Sequence, residues 1–559
     1  MTETKTLMNS LAYEFIKLLE YRQYKYVFAV PGATIDPLLS EVKQSKILKL
    51  IIATDESSAG FMADAYARLT EQPGICAFIS NAGTMNAMAA ISTAYQDKSP
   101  VLFISGSNIS HFENNGAFQD PGIYGSKDFH IVSNITNNSL ILNESANLSE
   151  HIKNITNSLN KLPKSPAYLQ IPVDILKTKI KPLSTFTHNQ CNKYSINTDF
   201  INKISEEYLR KNHKIILLID HLSNADEVSP LLIDFAEKFH IPVASTLYGK
   251  GIFPENHDLY LGIFGYGGHK RAHQTLLDEQ HKIILAVNVD FNQRNSLCWS
   301  NNFQKYAKII QINQFIHNEY AKFPITDKTV SCLRSTFQYL SREHNYLYKT
   351  IKQRQQWLIN IKQIPKFFIP TEISKTQLVR PSVAIQKLRQ VCPNDTILSV
   401  DSGEHRIFAA HYWLAYKPKQ YLTSINNAMM GWAIASGISA KLTFPDKPSI
   451  VITGDGCMLM NGNAIATAAK YNLAVIYIII NNNAMSKINH QYRMLNNYNW
   501  ESYAKALGLE AFTINDENSL TNTYKKALQL NKPCLIDIKC CPNSIAPNET
   551  YITEEKYVI

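Results

Sequence analysis

The 559-residue chain has no apolar run approaching the roughly 18–20 residues that a membrane-crossing helix needs, and Met1-Thr2-Glu3-Thr4-Lys5 opens it without the apolar segment of a secretory signal. A membrane partner is therefore not expected. Its nine cysteines include the isolated Cys76, Cys191, Cys298 and Cys457 and the neighbours Cys540 and Cys541, with no CxxC pair and no Cys/His ligand spacing. This is the pattern of a reducing compartment, and we expect a soluble cytoplasmic protein. There is no internal repeat and no run that mixes basic with aromatic residues. The formal net charge of +10 is dispersed along a Lys-, Asn- and Ile-rich chain, so it reads as a solvated surface, and no nucleic-acid partner is expected.

Length is the first positive signal. A chain of 559 residues is too long for one hydrophobic core and predicts an α/β protein of three domains with doubly wound parallel sheets. Composition breaks place the first at 1–180, closing with a strand over Ala167–Ile171 and a linker containing Pro and Thr. The second, at 195–340, carries predicted strands over Lys214–Asp220, Ile241–Ala244, Lys282–Val289 and Lys308–Ile312. A charged helical connector follows around Arg342–Lys362. The third domain, at 375–545, opens near Arg380-Pro381-Ser382, with Ser382 as the expected N-cap.

The chemistry concentrates in that third domain. Ser449–Thr453 is an apolar strand that stops at Gly454-Asp455-Gly456, where glycine lets the backbone approach a diphosphate closely. Asn463 to Tyr471 is Ala-rich and helical in pattern. Leu473 to Ile480 is a β-branched run, short enough for a buried parallel strand, that ends in Asn481-Asn482-Asn483. A βαβ unit brings both strand ends to one edge of the sheet. Asp455 and Asn482, 482 − 455 = 27 positions apart, then offer two hard oxygens to a Mg2+ that also holds phosphate oxygens. The plainer alternative makes both segments ordinary turns; their spacing in this strand context favours the metal.

This arrangement resembles the thiamine diphosphate fingerprint, GDG followed about thirty residues on by NN. A second segment, Thr54-Asp55-Glu56-Ser57-Ser58-Ala59-Gly60 through Arg68, is similar to the HEQGAGHMAEGYAR stretch of the same family and places Glu56 on its essential glutamate. Further likenesses run along the chain: Val27 to Thr34 with VFGYPGGA, Ser80 to Asn86 with SGPGATN, Gly116 to Asp120 with AFQE, Ser165 to Asp174 with GPVWLDIPKDV, Asp401 to His405 with DVGQH, and Asn427 to Gly431 with GLGTMG. Together they cover roughly 500 residues and resemble the acetolactate synthase-like branch of thiamine diphosphate enzymes, which also holds pyruvate oxidases and benzaldehyde lyase.

The resemblance implies a pyrimidine-binding first domain, a central Rossmann-like domain and a diphosphate-binding third domain. It implies thiamine diphosphate and Mg2+ as cofactors, with Asp455, Asn482 and the Ala484 main-chain carbonyl on the metal. Gly403, Glu404, His405, Gly454 and Gly456 would surround the diphosphate; Gly32, Asn86, Ala428, Ser486 and Ile488 would also contact the cofactor. Met430 would be the apolar wedge that bends it, a proximity effect. Glu56 would bond the aminopyrimidine ring nitrogen and set the tautomer, with an ordinary first-turn helix residue as the bland alternative. The implied reaction is decarboxylation of a pyruvate-like 2-oxo acid, followed by joining of the remaining fragment to a second carbonyl that Gln119 and His111 are candidates to orient. A non-ligating 2-oxo acid decarboxylase or an aldehyde ligase with a polar or dicarboxylic substrate is the alternative. Because Glu56 and the diphosphate set lie in different domains, the family builds each site between two chains, so a homodimer or tetramer is expected.

Three departures stand out. The turn after the first strand of the middle domain, Asp220-His221-Leu222-Ser223-Asn224-Ala225, has a carboxylate and no glycine where flavin-binding relatives are glycine-rich. Gly265-Tyr266-Gly267-Gly268 and Phe291-Asn292-Gln293-Arg294 keep something of the flavin-contacting pattern, yet the balance falls against bound FAD. Glu404 stands where Gln or Asn is usual, and an acid there repels phosphate unless it turns away. Lys487 replaces a methionine and Gln491 a substrate-selecting tryptophan. A desolvated Lys487 would favour a substrate more polar than pyruvate, while a solvated one would say nothing.

Overall fold

A computed structural model describes residues 8–143, 148–182, 196–211, 214–278, 282–300, 305, 307–316, 324–342, 348–370, 372, 378–485 and 494–547. The chain folds as two compact units. One comprises Met1–Asn192, Asn426–Asp446 and Met460–Val475, and the other Lys193–Ile425, Lys447–Leu459 and Ile476–Ile559.

The first unit is built on strands β1 (Tyr26–Ala29), β2 (Lys49–Ile52), β3 (Gly74–Ile79), β4 (Val101–Ser107), β5 (Asn138–Ile141) and β6 (Ala167–Pro172), in the order β2-β1-β3-β4-β6-β5 and parallel throughout. Strands covered on both faces are buried at every position and predominantly apolar, as β4 and β6 are along their whole length. Alternate residues then sort by face. Val27, Ile75, Leu102, Ile104 and Leu169 share one core with Leu11, Phe15 and Leu19 of the N-terminal helix. Helices α1 (Glu56–Thr70) and α2 (Ala82–Gln96) pack against each other so closely that a Cβ on Gly60 would lie 2.4 Å from the Ala90 Cβ. The helix Trp432–Thr443 belongs to this unit and lies on α1, where the Ser439 hydroxyl donates to the Met62 carbonyl at 2.7 Å.

The second unit holds two sheets. In the middle one, β7 (Ile215–Ile219), β8 (Val243–Ser245), β9 (Tyr260–Ile263), β10 (Lys282–Val287), β11 (Ala307–Asn313) and β12 (Asp327–Val330) run in the order β9-β8-β7-β10-β11-β12. This is the doubly wound dinucleotide-fold order. Its edge strands β9 and β12, each of four residues, are additions to the four strands expected from hydropathy. The other sheet has β13 (Ile397–Val400), β14 (Tyr421–Leu422), β15 (Ser449–Gly454), β16 (Val475–Asn481), β17 (Glu510–Ile514) and β18 (Cys534–Lys539), in the order β14-β13-β15-β16-β18-β17. Counted from its own first strand, that order is the same as in the first sheet, so the two share a topology that no sequence repeat announces.

The charged connector is a helix over Tyr348–Lys362. One local expectation is corrected. The helix opening the third sheet runs Pro381–Val391 with Arg380 at the N-cap; proline, which has no N–H to satisfy, takes the first helical position. Ser382 lies inside the helix, where its hydroxyl donates to the Glu372 carboxylate at 2.5 Å. Among the described residues no helix is long and apolar enough to cross a membrane.

Candidate active site

Parallel α/β sheets bind ligands at the carboxyl ends of the strands where the strand order reverses. In the sheet from β13 to β18 this point lies between β13 and β15, and the predicted diphosphate and metal residues converge there. The Thr453 hydroxyl at the end of β15 donates to Asp401 Oδ2 just beyond β13 at 2.6 Å, fixing the two exits together. The Cys457 thiol donates to the Ser402 carbonyl at 3.1 Å across the same gap. Gly403 sits at φ +148°, and a Cβ there would lie 2.5 Å from the His405 ring; a Cβ on Gly454 would lie 3.0 Å from it. Both glycines are therefore required by the imidazole packed between them.

His405 is buried, and burial, with Arg406 beside it, depresses its ring to about 3, so the ring is neutral. One ring nitrogen bonds the Asp401 main chain, while Nε2 is buried with no partner. Arg406 does not reach into this space: its Nη1 donates to the Ser424 carbonyl at 2.7 Å. Glu404 turns away as well. Its Oε1 accepts the Ala546 amide at 2.9 Å, which removes the charge conflict that an acid at this position poses.

Asp455 follows β15 directly and is 4 % exposed. Its Oδ1 accepts the Gly456 amide at 2.9 Å, and the Ala484 and Asn483 amides also point at the carboxylate. Burial outweighs these donors and raises the carboxyl to about 6. Oδ2 is buried with no partner. Asn482 Oδ1 accepts the Ala484 amide at 3.1 Å, so Asp455, Asn482 and Ala484 do converge. An orphaned carboxylate oxygen, with the Asn482 amide oxygen sharing the Ala484 N–H with it, offers hard oxygen donors, and this fits Mg2+. Ala484 forms an antiparallel bridge with Met494, and the Leu495 amide donates to the Asn483 carbonyl at 2.8 Å. Ser486, Lys487, Ile488 and Gln491 lie outside the described residues.

The first unit carries the other predicted residues. Asp55 caps α1, its Oδ1 accepting the Ser58 amide at 2.8 Å, so Glu56 becomes the first helical residue. Glu56 is 7 % exposed, and its Oε2 accepts from Asn86 Nδ2 at 3.0 Å. The Ser57 hydroxyl donates to the Asn86 carbonyl, tying α1 to α2 at the same level. Gly83 faces Oε1, where a Cβ would stand 3.2 Å away. Gly32 closes the exit of β1, since a Cβ there would lie 2.4 Å from Ile79 Cγ2. Gln119 and His111 share the loop between β4 and the helix Asp128–Val132, half-buried and exposed respectively, and neither is hydrogen-bonded to Glu56. That loop is shaped by Asp120, which accepts the Asn114 and Gly122 amides at 2.8 Å each. Ala428 and Met430 are half-buried in the segment before the helix Trp432–Thr443, Ala428 at φ +53°. Asp97, Thr93 and Asn461, which pin that segment, were not among the predicted residues.

Residues 10–124 match the thiamine pyrophosphate enzyme N-terminal TPP binding domain, 205–338 the central domain and 401–538 the C-terminal TPP binding domain, TPP being thiamine diphosphate. The chain is 26 % identical to a probable acetolactate synthase large subunit of Methanocaldococcus jannaschii, over 95 % of this chain and 92 % of that one. It is 26 % identical to the acetolactate synthase large subunit of Buchnera aphidicola from Acyrthosiphon pisum, over 84 % and 82 % respectively. Identity to the acetolactate synthase of Arthrospira platensis is 25 %, over 94 % and 93 %. With all three domains in order along one chain, the protein belongs to the thiamine pyrophosphate enzyme family and is a thiamine diphosphate-dependent carboligase or decarboxylase of the acetolactate synthase-like kind.

Proposed function

We propose that this enzyme uses thiamine diphosphate and Mg2+ to decarboxylate a pyruvate-like 2-oxo acid and to join the remaining fragment to a second carbonyl. The observation that carries the metal half of this reading is the buried, unpartnered Oδ2 of Asp455 beside Asn482 and Ala484. When bound, thiamine diphosphate supplies the nucleophilic carbon and electron sink that loss of CO2 requires. Asp455, Asn482 and the Ala484 carbonyl would hold the Mg2+, and Gly403, Gly454 and Gly456 would leave room for the diphosphate. His405 Nε2 can donate to a phosphate oxygen only when the ring is protonated, a state that a bound anion favours. Glu404, with Oε1 on Ala546, supports the loop without facing the phosphate.

With thiamine diphosphate bound, Glu56 would hold a proton toward the aminopyrimidine ring nitrogen. Asn86 occupies Oε2, so Oε1 is the oxygen left for that bond, and the absence of a side chain at Gly83 keeps the space beside it open. Met430 supports the cofactor from its own loop, next to the strained Ala428. Gln119 and His111 remain the candidates for orienting the second carbonyl. Following the resemblance, a homodimer is the smallest active assembly, each site taking its Glu56 half and its metal half from different chains.

We propose that the middle domain holds no FAD. At its own switch point, between β7 and β10, Asp220 is 3 % exposed and accepts from Thr246 Oγ1 at 2.5 Å, the His221 amide at 2.8 Å, Asn295 Nδ2 at 2.9 Å and the Asp290 amide at 3.2 Å. Donors that would face a pyrophosphate are thus turned onto a resident carboxylate. The purified protein is expected to be colourless; stoichiometric flavin released on denaturation would refute this.

The reaction is tested with pyruvate as sole substrate in the presence of thiamine diphosphate and Mg2+, measuring CO2, acetolactate and acetaldehyde together. The expected result is CO2 with acetolactate. Acetaldehyde without acetolactate would contradict ligation, and no CO2 from pyruvate would contradict the choice of donor.

A further inference from the structure

The segment Asn426 to Trp432 is held near both of its ends by contacts within the first unit. The Asn426 amide donates to Asp97 Oδ1 at 2.7 Å and its Nδ2 to the Gln96 carbonyl at 2.9 Å. Asn427 Nδ2 donates to Thr93 Oγ1 at 3.0 Å. Asn461 Nδ2 donates to the Gly431 carbonyl at 3.1 Å, while its Oδ1 accepts from the Ser58 hydroxyl of α1 at 3.1 Å. Finally, Trp432 Nε1 donates to Asp64 Oδ2 at 2.8 Å. Between these anchors the backbone passes through two left-handed residues, Ala428 at φ +53° and Gly431 at φ +86°. For a residue with a Cβ such as Ala428 that conformation is unfavourable, and it persists only when the surroundings impose it.

Two of the anchors are buried aspartates, Asp64 and Asp97, 0 % and 1 % exposed. Burying two carboxylates in one place is costly unless a cation accompanies them. Arg68 is that cation. Its Nε and Nη2 form a fork onto Asp64 at 2.9 and 2.7 Å, and Nη2 reaches Asp97 Oδ2 at 3.0 Å. The guanidinium also lies over the Trp432 ring, 4.8 Å from its centroid. Asp64 thus gives both oxygens to Arg68 and shares Oδ2 with Trp432 Nε1, whereas Asp97 gives Oδ2 to Arg68 and offers Oδ1 to the Asn426 amide.

We infer that Arg68, Asp64 and Asp97 are positioning residues: a buried charge cluster that fixes the backbone on which Met430 is carried. The inference rests on the proposed role of Met430 at the cofactor. None of the three touches substrate or cofactor in this reading; they act through the loop. Lysine could not replace Arg68, because a point charge lacks the planar fork that serves both carboxylates at once.

The test uses the full-length protein with three variants, Asp97→Ala, Asn427→Ala and Met430→Ala. Two readouts are followed: backbone amide hydrogen exchange over 424–432 in the cofactor-free protein, and the rate at which the thiazolium proton of bound thiamine diphosphate exchanges with D2O. In Asp97→Ala the 424–432 amides should lose protection and proton exchange should slow by about 10²-fold, the effect of misplacing a reacting group by roughly an ångström. Affinity for thiamine diphosphate should change by no more than about twofold, since Asp455 and Asn482 lie outside the network. Asn427→Ala leaves the ion cluster intact and serves if Asp97→Ala does not fold; it should show the same pattern at smaller amplitude. Loss of protection with wild-type proton exchange in either variant, while Met430→Ala slows exchange, would overturn the positioning inference. Wild-type exchange in Met430→Ala would instead overturn the role of Met430 on which the inference rests.

Discussion

Glu56→Gln should leave the fold and the affinity for thiamine diphosphate intact and slow exchange of the cofactor's thiazolium proton by about 10²–10⁴-fold, the range that a positioned proton donor contributes. Structure is preserved because the amide can still sit at the first position of α1 under the Asp55 cap and still accept from Asn86 Nδ2 through its carbonyl oxygen. Chemistry is lost because an amide has no proton to share with the aminopyrimidine ring nitrogen. The measurement is quenched-flow D2O exchange followed by NMR of the released cofactor, alongside a thermal melt. An exchange rate equal to wild type would assign the proton to another group.

Asp455→Ala should weaken Mg2+-dependent binding of thiamine diphosphate by about 10²–10³-fold, since a metal contributes several kcal/mol and each 1.4 kcal/mol is a factor of ten. The substitution removes the only carboxylate of the proposed ligand set and leaves the Gly456 amide without its side-chain acceptor, while the Asn483 and Ala484 amides keep Asn481 Oδ1 and Asn482 Oδ1. Two neutral oxygens hold the ion weakly, and without the ion the charge of the diphosphate is left uncompensated at the site. Binding is measured by quenching of tryptophan fluorescence with the metal concentration varied. Wild-type affinity in this variant would remove Asp455 from the metal.

The features readable in the sequence are those written over short spans. β15 and β16 appear as apolar runs bounded by Gly454 and Asn482, and their parallel pairing brings Asp455 and Ala484 together, as a βαβ unit requires. Glu56 is marked in the sequence by its surrounding segment, and its burial goes with the small residues, such as Gly60 and Ala90, that let α1 and α2 approach. Long-range pairing was not readable. Asp97 and Asn426 are 329 positions apart, and nothing in either stretch marks the other. The direction of Glu404 depended on Ala546, 142 residues later. Short edge strands such as Tyr260–Ile263 carry too few residues for a period to show, and Ser382 lost the cap position because the proline beside it already fitted the first turn. The shared order of the first and third sheets was implied by family resemblance alone, since topology constrains which faces are apolar and not which residues cover them.

The most direct test of the account is a calorimetric titration of thiamine diphosphate into the metal-free wild-type protein, once with Mg2+ present and once with EDTA. Tight binding of one equivalent per chain with Mg2+, lost by about two orders of magnitude or more in EDTA, is the predicted result. Equal binding under both conditions would contradict the metal-held diphosphate site at Asp455, Asn482 and Ala484.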